Sequence, residues 1–200
     1  MTFAKTIIEV GGHGGDDTIR LLDGGKNRVF AFEPSPEMMR ILQRRLCQYD
    51  GFMPVPMAVD LEESWRWFYE VQGHATGCSS LYPFNAATTE GWIDEAELQT
   101  IRFRVMTARL DTFIRKQGIE TIDYLWIDAQ GNDFRVLQSL GSELDRVLEG
   151  KCEAAHVSNL YTGVDNDYRT ISKWLQQRGF ETVVVPDGGN MEADVHFRRI

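Results

Sequence analysis

Near the start of the chain a carboxylate stands beside a run of glycines, Glu9-Val-Gly11-Gly-His13-Gly-Gly15-Asp16. Glycine lets a backbone turn sharply after a strand and approach a ligand closely. The spacing does not fit the dinucleotide fingerprint G-x-G-x-x-G. Counted from Gly12 and Gly14 the third glycine falls on Asp17, and counted from Gly11 the second falls on His13. No Gly-Lys-Ser/Thr follows, so the loop is not a P-loop either. What remains is acid-x-G-x-x-x-G, formed by Glu9, Gly11 and Gly15. That pattern suits a ligand with a cationic amino-acid part better than a pyrophosphate. A second acid, Glu33, lies 22 residues beyond Gly11 and ends the apolar run Arg28 to Phe32. An acid there is placed to accept both ribose hydroxyls of an adenosine. Each feature has a plainer reading, a simple turn and a surface acid before Pro34. Their pairing favours the nucleoside site.

Candidates for proton transfer are Asp128, His156, His74 and His13. Asp128 ends the almost wholly apolar run Ile122 to Ile127, where a sheet would deliver it to the ligand edge. Its plainer role is to cap the following helix through the N–H of Asn132 or Asp133. His156 falls at the far end of the next strand, on the same edge. An imidazole there suits a base near neutral pH, although a histidine near a strand end is more often structural. His74 lies in a loop, and His13 reads as a hydrogen bonder of the glycine loop. Asp128, Gln130, Asn132 and Asp133 are hard ligand types in a short run, but a helix after Gly131 would point them apart, so no metal is expected.

These residues need elements to hold them. The pattern alternates strand and helix: strands over 6–10, 28–32, 52–59, 122–127, 152–157, 180–185 and 193–197, with helices between them. A helix after Pro36 carries Met38, Ile41, Leu42 and Leu46. One capped by Thr107 carries Leu110, Phe113 and Ile114, and others show Phe134, Leu137 and Leu140, then Ile171, Trp174 and Leu175. Repeated strand–helix units imply an α/β fold, a mostly parallel sheet with helices on both sides. Trp65 to Val71 and Ile101 to Met106 read as two inserted strands, and residues 72–100 between them as a lid or substrate loop. Alternating Trp65, Trp67 and Tyr69 fit core or subunit packing. If exposed, the stripe would suggest a homodimer contact or a sugar-binding wall.

Composition narrows the partners. The chain has 200 residues, one domain's length, and 42% are hydrophobic, enough to build a core. Thirty Asp and Glu against 21 Lys and Arg give a net charge of −9, which disfavours nucleic acid and anionic membranes. Cys47, Cys78 and Cys152 form no CxxC pair, so neither a disulfide framework nor structural zinc is expected. No signal peptide or membrane-length apolar run is read, and the expectation is a cytoplasmic protein of a reducing compartment.

Taken in order, Glu9 to Asp16, Val29-Phe-Ala-Phe-Glu-Pro-Ser-Pro36 and Ala58-Val-Asp60 resemble the FkbM-type S-adenosylmethionine-dependent methyltransferases. Ser79-Ser80-Leu81, Leu110-Asp111-Thr-Phe, Ile122-Asp-Tyr-Leu-Trp-Ile-Asp128-Ala-Gln-Gly131, Leu160-Tyr161-Thr-Gly163 and Gly179-Phe180 continue the resemblance. It implies a class I methyltransferase (Rossmann-like) fold: a seven-stranded sheet with an antiparallel C-terminal strand and an insert around 64–106. It implies S-adenosylmethionine as donor and a small hydroxylated acceptor such as a sugar. By position, Glu9, Gly11, His13 and Gly15 would line the methionine end, Glu33 and Pro34 the ribose, and Ala58, Val59 and Asp60 the adenine. Asp128 would face the methyl group.

Three positions depart from the family pattern: His13 for Asn, Trp126 for Lys and Gln130 for Glu. The first strand also starts near residue 6, so the helices that often precede it are not expected, and that side of the pocket is expected open or closed by a partner subunit. Asp128-Ala-Gln-Gly lacks the Asp/Asn-Pro-Pro-aromatic pattern of enzymes methylating planar amines, which leaves oxygen as the acceptor atom. Two other readings stand beside this one. The first is a binding or assembly module of the same fold that has lost turnover; the second, disfavoured by the glycine register, is a nucleotide-dependent oxidoreductase.

Overall fold

The computed structural model describes residues 2–73, 75–85, 101–156, 160–186 and 191–200. In chain order its elements are β1 (Thr6–Val10), α1 (Asp16–Leu21), β2 (Arg28–Phe32), α2 (Pro36–Leu46), β3 (Phe52–Val55), β4 (Ala58–Val59), β5 (Trp65–Glu70) and β6 (Ile101–Ala108). Then come α3 (Leu110–Gln117), β7 (Tyr124–Ile127), α4 (Asp133–Ser139), β8 (Glu149–Ala155), α5 (Tyr168–Gln176), β9 (Phe180–Pro186) and β10 (Glu192–Arg199). Seven strands form one sheet in the order β3-β2-β1-β7-β8-β10-β9, and β10 alone runs against its neighbours. This is the class I methyltransferase arrangement that the resemblance implies.

Adjacent residues of β1 face opposite layers. Ile7 packs with Leu42 and Leu46 of α2 and Leu22 after α1. Ile8 packs with Phe113 and Ile114 of α3, in the layer that also takes α4 and α5. Fully burying such a side chain is worth about 1.5–3 kcal/mol, so a strand apolar on both faces is held in the sheet centre. The helix α2 starts where Ser35 accepts the Met38 N–H and Pro36 fills the first turn. Gly118, at φ 63, ends α3.

The order of strands reverses between β1 and β7: the chain goes from β1 outward through β2 to β3, then returns to place β7 on the other flank. At such a switch point the loops leaving two neighbouring strands diverge and open a crevice at their C-terminal ends.

Several expectations change. The single strand over 52–59 is two, split at Pro56. Phe52–Val55 pairs with β2, while Ala58–Val59 crosses to a second, three-stranded sheet, β4-β6-β5. The physical reason is that proline lacks a donor for the ladder. Thr107 does not cap a helix: it stays in β6 and its hydroxyl bonds the Glu62 and Ser64 carbonyls, leaving Arg109 before α3. β7 begins at Tyr124, after an isolated bridge from Ile122 to Val147, and β8 begins three residues earlier than expected. The Trp stripe is not core: Trp65 is 57% and Trp67 42% exposed. The Arg102 and Arg104 guanidinium groups lie 4.9 and 5.4 Å from the Trp67 ring centroid. Much of the expected lid, 86–100 with Trp92, and His74 lie outside the described residues.

Candidate functional site

A cleft opens at the C-terminal ends of β1, β2, β4 and β7, at the switch point, and the turn 76–79 of the insert forms part of its wall. Its lining includes Gly11, Gly12, His13, Asp16, Asp17, Glu33, Pro34, Ala58, Val59, Asp128 and Gln130. Four of these are carboxylates, and no Lys or Arg is among the described lining residues.

The glycine loop packs closely against the strand ends. At Gly11, with φ +97, an added Cβ would stand 1.9 Å from the Asp128 carbonyl oxygen. The turn therefore presses β1's end against β7's end, and only glycine permits both the approach and the positive φ. His13 also has positive φ, at 42. Its N–H donates to Glu33 Oε2 at 2.8 Å, and its Nε2 is 3.0 Å from Thr76 Oγ1. It thus ties the glycine loop both to β2 and to the insert. Burial pushes its ring pKa down, so the neutral imidazole is favoured.

Glu33 is 5% exposed. Its Oε2 takes the His13 N–H, and its Oε1 takes the Ser35 N–H at 2.7 Å. Each carboxylate oxygen keeps a further lone pair for a ligand hydroxyl. Burial pushes this carboxyl up to about 7, against the opposing pull of the two amide donors. A ligand that donates hydrogen bonds would favour the ionised form.

Asp128 is half-buried at the tip of β7. It does not cap α4; its Oδ1 accepts the Gln130 Nε2–H at 2.8 Å. The first turn of the helix is served by Asn166, whose Oδ1 takes the Phe134 N–H at 3.0 Å, while the Asp133 carboxylate ties the preceding turn through the Ala129 N–H at 2.9 Å and the Gly131 N–H at 3.1 Å. Gln130 itself has φ 51 and is clamped on several sides. Tyr161 Oη donates to its Oε1 at 2.8 Å, and Ser80 Oγ to its carbonyl at 2.6 Å. Gly131 follows because the Tyr161 ring occupies the space a Cβ would need, 2.3 Å away.

Of the residues singled out in the sequence, the structure brings Gly11, His13, Glu33, Pro34, Ala58, Val59 and Asp128 to this cleft. Four others lie elsewhere. Glu9 is fully buried behind the loop, where Thr18 Oγ1 donates to its Oε2 at 2.7 Å. Its Oε1 has no partner among the described residues, and burial pushes the carboxyl up to about 8. Gly15 faces α2: an added Cβ would meet Leu42 at 2.8 Å. Asp60 is buried in ion pairs with Arg66 at 2.5 Å and Arg135 at 2.7 Å. His156 follows β8, its N–H donating to the Met191 carbonyl and its ring stacked on Tyr168 at 5.1 Å. It does not line the cleft, because the chain leaves the sheet at Ala155. His74 is outside the described residues.

Sequence reasoning missed Ser35, Thr76 and Ser79 as cleft residues, and Glu153, whose Oε2 accepts a second Gln130 Nε2–H bond at 2.6 Å. For Glu153 the only signal was its place in a strand, alternating with Cys152 and Ala154. Among the described residues no group of three His, Cys, Asp or Glu is placed to hold a metal, and no helix is long and apolar enough to cross a membrane.

The cleft can be tested against an adenosyl amino acid that carries a sulfonium and an ammonium. Its described walls hold carboxylates without cations, and a glycine loop lets backbone approach. Glu33 offers lone pairs at the tip of the second strand. These features fit such a cation.

Comparison with known proteins agrees. The family described as Methyltransferase FkbM domain matches residues 9–182. The chain is 26% identical over 136 residues to a protein of Sinorhizobium fredii (strain NBRC 101917 / NGR234) named 2-O-methyltransferase NoeI. That match covers 66% of this chain and 55% of the relative, so it spans little more than half of the relative's length. Among solved structures, the Methanococcus jannaschii fibrillarin pre-rRNA processing protein aligns at TM-score 0.56 and 14% identity, over 98% of this chain and 66% of that one. Aeropyrum pernix fibrillarin, solved with natively bound S-adenosyl-L-methionine, aligns at TM-score 0.53 and 15% identity, over 98% and 67%. These two likenesses show the fold.

Proposed function

The chain belongs to the FkbM methyltransferase family, and from that premise we propose that it transfers a methyl group from S-adenosylmethionine to a hydroxyl oxygen of a small uncharged molecule such as a sugar. The observation that carries this reading is the acid-lined cleft at the switch point, without a lining Lys or Arg among the described residues, where two backbone N–H groups hold Glu33 at the tip of β2. When bound, S-adenosylmethionine supplies a methyl carbon activated by a positively charged sulfur.

The residues of the chain hold and orient. Glu33 would accept the ribose hydroxyls. Ala58 and Val59 would offer an apolar shelf for the base, and the Gly11–His13 backbone would hold the amino-acid part. Asp128, at the floor, is the side chain able to accept a proton from an acceptor hydroxyl. Alignment of nucleophile and methyl carbon supplies most of the rate in such a displacement.

Two considerations support an uncharged hydroxylic acceptor. Phosphate groups would meet four lining carboxylates and no described lining Lys or Arg. The relative in S. fredii bears the name of an O-methyltransferase. The test is calorimetric titration with S-adenosylhomocysteine, followed by transfer of labelled methyl from S-adenosylmethionine to a panel of sugars, phenols and amines. Binding, then label on hydroxyl compounds, is expected. The absence of binding at millimolar ligand, or label only on amines, overturns the reading.

A further inference from the structure

Behind the cleft floor lies a second carboxylate that the scheme above leaves without a role. β7 and β8 are parallel neighbours in the register Trp126↔Lys151 and Ile127↔Cys152, so one residue further on Asp128 comes beside Glu153. One amide nitrogen, Gln130 Nε2, donates to both, at 2.8 Å to Asp128 and 2.6 Å to Glu153. The other end of that amide is fixed by Tyr161 Oη, and Gln130 is 8% exposed. The amide is therefore locked with its NH₂ toward the acids.

The cation nearest in sequence is bonded elsewhere: Lys151 Nζ bonds Asp194 Oδ2 at 2.7 Å and lies 4.1 Å from the Trp126 ring centroid, and its charge also pulls the Asp128 carboxyl down. Neither Asp128 nor Glu153 has an ion-pair partner among the described residues. The other groups facing them are acids or a phenol. They are Glu9 from β1, Glu33 after β2, Asp17 from α1, Asp133 from α4, Glu192 and Asp194 from β10, and Tyr161. From the glycine loop the neutral-leaning His13 approaches.

Two adjacent carboxylates in such surroundings cannot both ionise cheaply. We propose that Asp128 and Glu153 work as one carboxyl pair that holds a single proton, with Glu153 the positioning member that keeps it and Asp128 the ionised member presented to the cleft. The division follows from geometry: Asp128 lines the cleft and Glu153 does not. Burial raises both groups. The Asp128 charge beside it raises Glu153 further.

The proton balance is simple. An acceptor hydroxyl gives its proton to Asp128 while its oxygen keeps the bonding pair. The pair, now holding two protons, returns one to solvent and is again singly protonated. This catalytic use rests on the proposed methyl transfer; the sharing of the proton does not.

The experiment is a carboxyl-carbon NMR titration of the full chain labelled at Asp and Glu, on wild type, Glu153→Gln and Asp128→Asn, with melting temperatures to confirm folding. In wild type the two resonances should move together in two steps separated by at least about one pH unit. In Glu153→Gln, Asp128 should titrate in one step, at lower pH than the upper step of the pair. In Asp128→Asn, Glu153 should likewise titrate in one step. Independent single steps in wild type, or an Asp128 curve unchanged by Glu153→Gln, overturn the proposal. If either variant fails to fold, the wild-type curves decide alone. Coupled titration in a protein that binds no S-adenosylhomocysteine would sink the methyltransferase reading and leave the pair standing.

Discussion

Glu33 shows how one side chain can be readable in sequence and yet owe its behaviour to its surroundings. Its position is local information: an acid at the end of an apolar run, a fixed distance beyond a glycine turn. Its raised pKa comes from burial, and its aim comes from the His13 and Ser35 N–H groups. Glu33→Ala removes a charged acceptor and should weaken S-adenosylhomocysteine binding by about 1–3 kcal/mol, or roughly 5- to 150-fold. Glu33→Gln, which keeps one acceptor oxygen, should lose less. Calorimetry on the two variants checks this, and an unchanged dissociation constant would move the ribose elsewhere. His156 is the opposite case. A histidine after a strand is a fair base on paper, but its ring lies flat on Tyr168, away from the cleft.

Between elements, the fold depends on contacts that join segments far apart in the chain. Asp60 looks in sequence like the third residue of an adenine-side motif. In the structure it is a fully buried anchor that accepts Arg66 from β5 and Arg135 from α4. It therefore ties the small sheet to the helix after the cleft floor. Removing one member of a buried pair leaves the partner charges uncompensated. Asp60→Asn should cost roughly 3 kcal/mol, near the low end for buried pairs because both arginines keep some solvent contact. For a domain of this size that lowers the melting temperature by roughly 6–12 °C, measurable by calorimetry. A change within error would show the arginines finding water instead. The insert is joined in the same way, through Ser80 to the Gln130 carbonyl and Thr76 to His13, bonds with partners 50 and 63 residues away.

Over the whole molecule, burial of acids sets the response to pH. Burial pushes Glu9 up to about 8 and both Glu33 and Asp133 up to about 7. A carboxyl whose folded pKa is raised contributes its stability fully below its unfolded pKa and loses it as pH rises through the folded value. Every tenfold gain in proton affinity on folding is worth about 1.4 kcal/mol, so three such groups act together over the range from about 4 to about 8. The protein free of ligand should melt at a lower temperature at pH of about 8.5 than at about 5.5, and Glu9→Gln should flatten that slope. A melting temperature that rises over the same interval would refute it. The sequence alone determined the layered α/β plan, the apolar run that ends at Asp128, the glycine loop and the acid at the tip of β2. These rest on periodicity, capping and short spacings, which are properties of neighbouring residues. Only the tertiary structure decided that Pro56 sends Ala58 and Val59 into another sheet, that Glu9 and Asp60 are held inside rather than at the cleft, and that Glu153 stands beside Asp128. Those facts depend on which strands become neighbours. The order β3-β2-β1-β7-β8-β10-β9 is set by packing across the whole sheet and leaves no mark in any local stretch of chain.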